Sequence, residues 1–343
     1  METVFVTGAT GFIGSKLVEI LLEHGFRVRA LCRPETMSNP SGREAVLKKL
    51  ENSPNFQFVG GDITEPESLR KGMEGCDLVF HLAAYAKNWS PDPTIYTRMN
   101  IDATRNVFQV AKECQVRKIV WTSTIVTFGP TKPEEIRDEN SSPRLTDTYF
   151  TEYEKTKAMA EQEALRQAKD GLPLVIVNPT RVYGPGLLSE GNAVVQLILD
   201  YVKGKSPFLP NRGVNVGNYG LVDDVALGHL LAMEKGRIGQ CYILGGENAS
   251  LRELFELVDE VSGKKHWKFP LLKPGPLLFS WIQEKRAQWF GIYPRITTGW
   301  MRTFLADWAY SCEKAKQELG YAPVSLRHGL EKTWNWLRES GLV

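Results

Sequence analysis

The sequence predicts an α/β fold, a Rossmann-type doubly wound parallel sheet of about seven strands joined to a smaller, discontinuous α+β C-terminal region. Three observations predict it. Short apolar runs alternate with helical patterns through the first half of the chain. A glycine-rich strand-to-helix turn, Thr7 to Gly14, opens that alternation. Beyond about residue 180 the alternation loosens and turn-rich segments intervene.

Thr3 to Val6 reads as a short buried strand, and Lys16 to Glu23 carries Leu17, Val18, Leu21 and Leu22 at helical spacing. The glycines between them sit on the turn, with two residues between each pair. Gly8 permits the sharp reversal, Gly11 lets backbone approach a diphosphate, and Gly14 lets the helix lie close on the sheet. Free N–H groups at the helix start then face the anion, which makes this turn a candidate dinucleotide site.

A second strand, Phe26 to Leu31, ends at Cys32-Arg33-Pro34, where a carboxylate would suit the ribose 2'-hydroxyl of NAD. Here the first carboxylate is Glu35, and Arg33 suits a 2'-phosphate instead, so NADP(H) is favoured over NAD(H). Residues Glu35 to Glu44 read as a loop able to close over the adenosine end. Phe56 to Val59 is the third strand, followed by Gly60 to Thr64 and a helix near Pro66 to Met73. Leu78 to Leu82 is the fourth, running into Ala83 and Ala84, whose small side chains leave room for a flat ligand.

A helix from about Asn100 to Cys114 precedes a fifth strand, Lys118 to Thr122, which ends in the hydroxyls of Thr122, Ser123 and Thr124. Tyr153 and Lys157 then stand four apart, on one face of a helix that continues from Ala158 to Lys169. An adjacent ammonium is expected to favour the phenolate and lower the tyrosine pKa, giving an acid/base pair for a carbonyl or alcohol. Leu174 to Asn178 is the sixth strand and Cys241 to Leu244 the seventh. Between them lie an apolar helix within Leu187 to Lys203, a turn-rich Ser206 to Gly213, and a helix from Leu221 through Met233. Ser250 to Ser262 reads as an amphipathic helix with a hydroxyl start and Gly263 as its stop, and Trp334 to Leu337 as a docked terminal helix.

Bulk properties bound the function. With 42 Lys and Arg against 40 Asp and Glu, the formal charge of +2 gives no global field for nucleic acid or an anionic membrane, leaving only local patches. The five cysteines are single and unpaired in spacing, so reduced thiols in a cytoplasmic protein are expected, with no metal site. No secretory pattern precedes the first strand, and no apolar run can cross a bilayer; Leu277 to Ile282 could at most lie on a surface. Residues Phe269 to Trp308 are dense in aromatic and aliphatic side chains, which reads as core before it reads as the wall of a pocket for an apolar or ring-bearing substrate. Trp89 is expected to face the same cleft.

The ordered set of Thr7 to Gly14, Gly61 to Ile63, His81 to Ala84, Thr122 to Thr124 with Gly129, Tyr153 to Lys157 and Asn178 to Gly186 resembles the short-chain dehydrogenase/reductase superfamily, in its extended, epimerase and dehydratase-like branch. Within that branch the chain is similar to the dihydroflavonol reductase-like group and to proteins labelled hopanoid-associated sugar epimerases. The resemblance implies that Thr124, Tyr153 and Lys157 are catalytic. It implies cofactor contacts from Gly8, Thr10, Gly11, Phe12, Ile13 and Gly14 in the turn, from Arg33, Asp62 and Ile63 at the adenosine end, and from Leu82, Ala83, Ala84, Thr122, Tyr153, Lys157 and Pro179. Asn100 matches a residue that braces the site, its alternative being an N-cap.

The resemblance also implies an NADP-binding unit of residues 1–181 with 219–246, a substrate-binding unit of 182–218 with 247–343, and a homodimer through the helices near Asn100 to Cys114 and Tyr153 to Lys169. The reaction it implies is NADPH-dependent reduction of a ketone or aldehyde of a small molecule. A nucleotide-sugar epimerase or dehydratase with tightly bound NAD(P) is the alternative, weakened because Val216 to Gly220 lacks an arginine for the diphosphate; Arg181 and Arg212 are the possible substitutes.

Overall fold

The computed structural model describes residues 1–33, 50, 53–141, 149–205 and 208–343. The expected loop Glu35 to Glu44, Pro34 and the Ser206-Pro207 turn lie outside the described residues.

The chain begins β1 (Thr3–Thr7), α1 (Phe12–Glu23), β2 (Arg27–Cys32), β3 (Phe56–Gly60), α2 (Pro66–Met73) and β4 (Leu78–His81). A single turn over Thr94–Thr97 and a π turn over Arg98–Asp102 lead into α3 (Ala103–Glu113), then β5 (Lys118–Thr122), α4 (Glu152–Lys169) and β6 (Leu174–Pro179). The third quarter holds β7 (Arg181–Tyr183), α5 (Ala193–Val202), β8 (Phe208–Pro210), β9 (Val216–Leu221), α6 (Val222–Lys235) and β10 (Cys241–Leu244). The rest is β11 (Glu247–Ser250), α7 (Leu251–Ser262), β12 (Phe269–Leu271), α8 (Pro274–Phe290), α9 (Thr298–Phe304), α10 (Glu313–Leu319) and α11 (Leu326–Glu339).

Seven strands form one sheet in the order β10-β6-β5-β4-β1-β2-β3, every pair parallel. They are the seven read from the apolar runs, displaced by at most a residue or so at their ends. Strand periodicity explains the layering. Val4, Val6, Phe80, Val120, Val175 and Val177 face one cluster, which includes α1, α6 and α10. Phe5, Val79, Ile119, Trp121, Leu174 and Ile176 face the other, with α2, α3 and α4. The order reverses beside β1, so the carboxyl ends of β1 and β4 border a crevice where such sheets take ligands.

Helix α6 packs beside α1, and β10 joins the sheet at β6. A third cluster gathers α5, α7 and α11 against β9, with a small sheet in the order β11-β9-β7 and the pair β12-β8. Helix α7 is bounded by a capping box between Ser250 and Glu253 and by Gly263 at φ +68, the hydroxyl start and glycine stop the sequence carries.

Helix α4 takes in Tyr153 and Lys157, as their spacing predicts, and starts at Glu152 because the Thr151 hydroxyl accepts the Glu154 N–H at 3.1 Å and caps it there. One expectation changes. The dense apolar stretch from Phe269 to Trp308 is core only in part. Met301, Leu305 and Trp308 are buried, whereas Leu278, Trp281, Trp289 and Phe290 on α8 are exposed.

Candidate active site

The glycine turn is shaped by close approaches that no side chain could share. Gly8 has φ +73, and a Cβ there would lie 2.6 Å from the Ala83 backbone nitrogen. A Cβ on Gly14 would lie 2.1 Å from the Gly8 carbonyl oxygen. Gly11 stands at the N-cap of α1 with no side-chain cap, so the N–H groups of the first turn stay available to a ligand, the cradle a diphosphate requires. The Phe12 side chain is buried in the core beneath, which leaves Phe12 its backbone for such contact.

A cleft of about 1880 Å³ runs along the carboxyl ends of the strands. Known small-molecule pockets occupy about 300–1,000 Å³, so this one has room for a dinucleotide and a second ligand together. Gly8, Thr10, Gly11, Leu82, Ala83 and Ala84 line its base, and Arg33, Asp62 and Ile63 line its far end. The Asp62 carboxylate is committed locally, accepting from the Thr64 N–H at 2.8 Å and the Thr64 hydroxyl at 2.7 Å. Phe279, Met301 and Phe304 enter from the C-terminal region. Trp89 does not line this cleft; it packs edge-on against Tyr293, 6.0 Å between centroids, because Asn88 is tied to Pro294 and Thr297.

Tyr153, Lys157 and Thr124 gather at the end of β5 and are not among the residues that line the cleft. The Lys157 ammonium donates to the Thr122 carbonyl at 2.8 Å and sits 4.3 Å above the Trp121 ring. It is buried, and that burial lowers its pKa to about 7, with the Glu161 carboxylate working in the other direction. The Thr124 hydroxyl hydrogen-bonds the half-buried Tyr153 phenol. Contrary to the expected lowering by Lys157, the phenol is pushed up to about 12 by burial, and Thr124 only partly offsets this. Desolvation of the phenolate outweighs its polar neighbours, which favours the neutral phenol. The Trp300 indole stacks on its ring.

Strand parity settles the Thr122 side chain. It shares the face of Val120, so its hydroxyl meets His229 Nε2 at 2.9 Å, away from Lys157, and its carbonyl alone reaches the site. Pro179 closes β6 in register with Leu244 and is buried.

Two networks brace this centre. Thr7 and His81 Nδ1 are 2.7 Å apart, His81 Nε2 and Thr104 3.2 Å, and Thr104 donates to the Asn100 carbonyl at 2.9 Å. Because the Thr104 proton is used, the Nε2–H tautomer satisfies the chain, and Thr7 is left to accept the Ala83 N–H at 3.3 Å. Burial, with Lys157 second, lowers His81 to about 3. Asn100 is no N-cap: inside the π turn its amide accepts from Tyr85 N–H at 2.7 Å and donates to Thr156 at 3.1 Å, joining the segment after β4 to α4. In the second network Glu161 accepts from Asn178 at 2.7 Å and Thr127 at 2.9 Å beneath Lys157. Glu161 was legible as a third residue at four-residue spacing after Tyr153 and Lys157. His81 was not, since its partners are 74 and 23 residues away.

The sequence profile of the NAD dependent epimerase/dehydratase family matches residues 4–245. A Synechocystis protein carrying the provisional name dihydroflavonol 4-reductase is 33% identical over 346 residues, 100% of this chain and 96% of its own. Cinnamoyl-CoA reductase 1 of Petunia hybrida is 38% identical over 241 residues, 68% of this chain and 69% of its own. Among solved structures, UDP-glucuronic acid 4-epimerase from Bacillus cereus in complex with NAD superposes with a TM-score of 0.77 at 26% identity, covering 98% and 99% of the two chains.

Proposed function

The chain belongs to the NAD dependent epimerase/dehydratase family, and we propose that within it the protein is an NADPH-dependent reductase of a ketone or aldehyde on a largely apolar or ring-bearing small molecule. One observation carries this reading. The Tyr153 phenol is hydrogen-bonded to the Thr124 hydroxyl one helical turn from Lys157, with Trp300 on its ring and Met301 and Phe304 on the cleft wall.

The turn from Gly8 to Gly14, with Thr10 and the backbone of Phe12 and Ile13, would hold the cofactor diphosphate. Asp62 and Ile63 would meet the adenine, and Arg33 at the same end would pair with a 2'-phosphate. Leu82 to Ala84, the Thr122 carbonyl and Pro179 would border the nicotinamide end. A nicotinamide bound there supplies the hydride. Thr124 would hold the carbonyl oxygen, and the Tyr153 phenol would give that oxygen its proton as the carbonyl carbon is reduced. Lys157 in its protonated form would stabilise the phenolate left behind, held in place from below by Thr122, Trp121 and Glu161.

We place substrate recognition in residues 182–218 with 247–343 and cofactor binding in the remainder, and propose a homodimer through α3 and α4. The five cysteines are free thiols, which suits a reducing cytoplasm.

Epimerisation of a nucleotide sugar would use the same phenol and ammonium. The cleft's own cations, Arg98 and Arg295 among them, speak for such a ligand. Against it, Arg181 is held between Tyr219 and Phe304 at 5.8 and 5.3 Å, and Arg212 is exposed outside the cleft. The test is NADPH consumption with aryl ketones, diketones and aldehydes, alongside Tyr153→Phe. Turnover that falls roughly 10²–10⁴-fold in the variant supports the reading. Absence of turnover, with cofactor retained through gel filtration, would transfer support to the epimerase.

A further inference from the structure

Helix α8 inverts the pattern of an ordinary surface helix. Its buried positions are the small residues Pro276, Ser280 and Ala287, while Leu278, Trp281, Ile282, Trp289 and Phe290 point outward, the last two 70% exposed. Leu278, Ile282 and Trp289, spaced four and seven apart, share one line along the helix, and Trp281 and Phe290 flank it on either side. Trp267, 82% exposed, stacks on Phe269 at 6.3 Å, and Phe269 lies 6.4 Å from Phe208, which extends the apolar surface to β8 and β12. Contiguous exposed apolar surface of this kind marks a docking face.

The charge around it has one sign. From Gly263 to Arg295 there are seven lysines and arginines and one carboxylate, in a chain whose totals nearly balance at 42 and 40. That carboxylate, Glu284, accepts from the Thr298 N–H at 3.2 Å. Lys268 and Arg295 are paired with Asp259 and Asp200, but Lys265, Lys273 and Arg286 have no ion pair among the described residues. Exposed tryptophan and phenylalanine edged by unpaired cations match the boundary between acyl chains and anionic headgroups. A symmetric pairing with a second copy would instead set this basic surface against itself.

We propose that α8 and the adjoining Trp267–Leu272 segment dock the protein onto the surface of an anionic phospholipid bilayer. The helix lies on the surface, since no helix among the described residues is long and apolar enough to cross. Phe208 and Phe279 are exposed on this face and also line the cleft, so the docked protein opens its cleft toward the lipid. Resting on the reductase reading, the substrate class is then a carbonyl compound that partitions into membranes.

The test is flotation of the full chain with vesicles of phosphatidylcholine alone and of phosphatidylcholine and phosphatidylglycerol in equal parts, at low and high salt. Wild-type protein is expected to float with the anionic vesicles and to be released by salt. Trp289→Ser/Phe290→Ser is expected to lower the partition coefficient by at least about tenfold at an unchanged melting temperature. Wild-type protein left unbound, or a double variant that binds equally, overturns the proposal. A dimer that dissociates in the variant without vesicle binding overturns it too and assigns the face to a second copy. Flotation needs no substrate, so its outcome is independent of whether the protein reduces carbonyls; turnover of a water-soluble aryl ketone, measured in the same variant, is expected to be unchanged.

Discussion

The Trp300 indole lies nearly parallel to the Tyr153 phenol, with ring centroids 6.1 Å apart and planes 21° apart. The backbone enforces this. Gly299 admits the Phe150 carbonyl, which a Cβ would meet at 2.3 Å, and the Thr303 hydroxyl donates to Glu154 at 2.7 Å. The indole N–H finds no acceptor among the described residues. Trp300 therefore offers a flat face and a spare donor beside the proposed proton donor. Trp300→Ala is expected to raise KM for ring-bearing substrates roughly tenfold, the value of one lost aromatic pair, with little change for linear aldehydes. Steady-state kinetics on matched substrate pairs checks this, and an equal effect on both kinds would assign Trp300 to packing alone.

Gly14→Ala tests the turn. The new methyl would press on the Gly8 carbonyl, which is backbone and shifts only with the whole turn. The expected cost is about 1–3 kcal/mol of stability together with a loss of NADPH affinity. Thermal melts with and without NADPH read both. A variant that melts lower yet is stabilised by NADPH as much as wild type would separate the turn from cofactor binding.

Arg33 is exposed at the far end of the cleft, beyond Asp62 and Ile63. If its guanidinium receives a 2'-phosphate, Arg33→Ala removes a charge-assisted contact worth about 1.5–3 kcal/mol, roughly 10–100-fold in affinity for NADPH. Affinity for NADH should barely move. Titration of both cofactors against the variant decides, and an equal loss for both would make Arg33 a general anion contact.

Much of this centre was legible in the chain because its signals are local. Gly8, Gly11 and Gly14 act within one turn, and Tyr153 and Lys157 share a helix face by spacing alone. The state of Tyr153 was not legible. Spacing brings an ammonium near, but burial by Trp300 and neighbouring elements decides the titration, and that is tertiary. Helix α8 misled for a related reason. Hydrophobic density indicates that side chains seek cover without saying what covers them, and here Ser280 and Ala287 face the protein while Trp289 and Phe290 do not.

The two buried histidines make stability depend on pH with a definite sign. Burial lowers His81 to about 3, with Lys157 second, and His229 to about 4 from 6.5, the Val225 carbonyl working the other way on His229; His81 lies between Thr7 and Thr104, and His229 between Thr122 and the Val225 carbonyl. Because the folded values are depressed, the unfolded chain binds the extra protons. The stability they contribute is complete above about pH 6.5 and is lost as pH falls toward 4, by at most about 2.7 kcal/mol per pH unit where both titrate. Lys157, lowered to about 7 from 10.5, acts with the same sign at higher pH, adding stability between about 7 and 10. Urea denaturation across the acid range is expected to give this slope, and His229→Gln, which keeps a donor and an acceptor, to lower it by about half. An unchanged slope in that variant would mean that His229 takes up its proton in the folded protein, and that its burial does not hold it neutral.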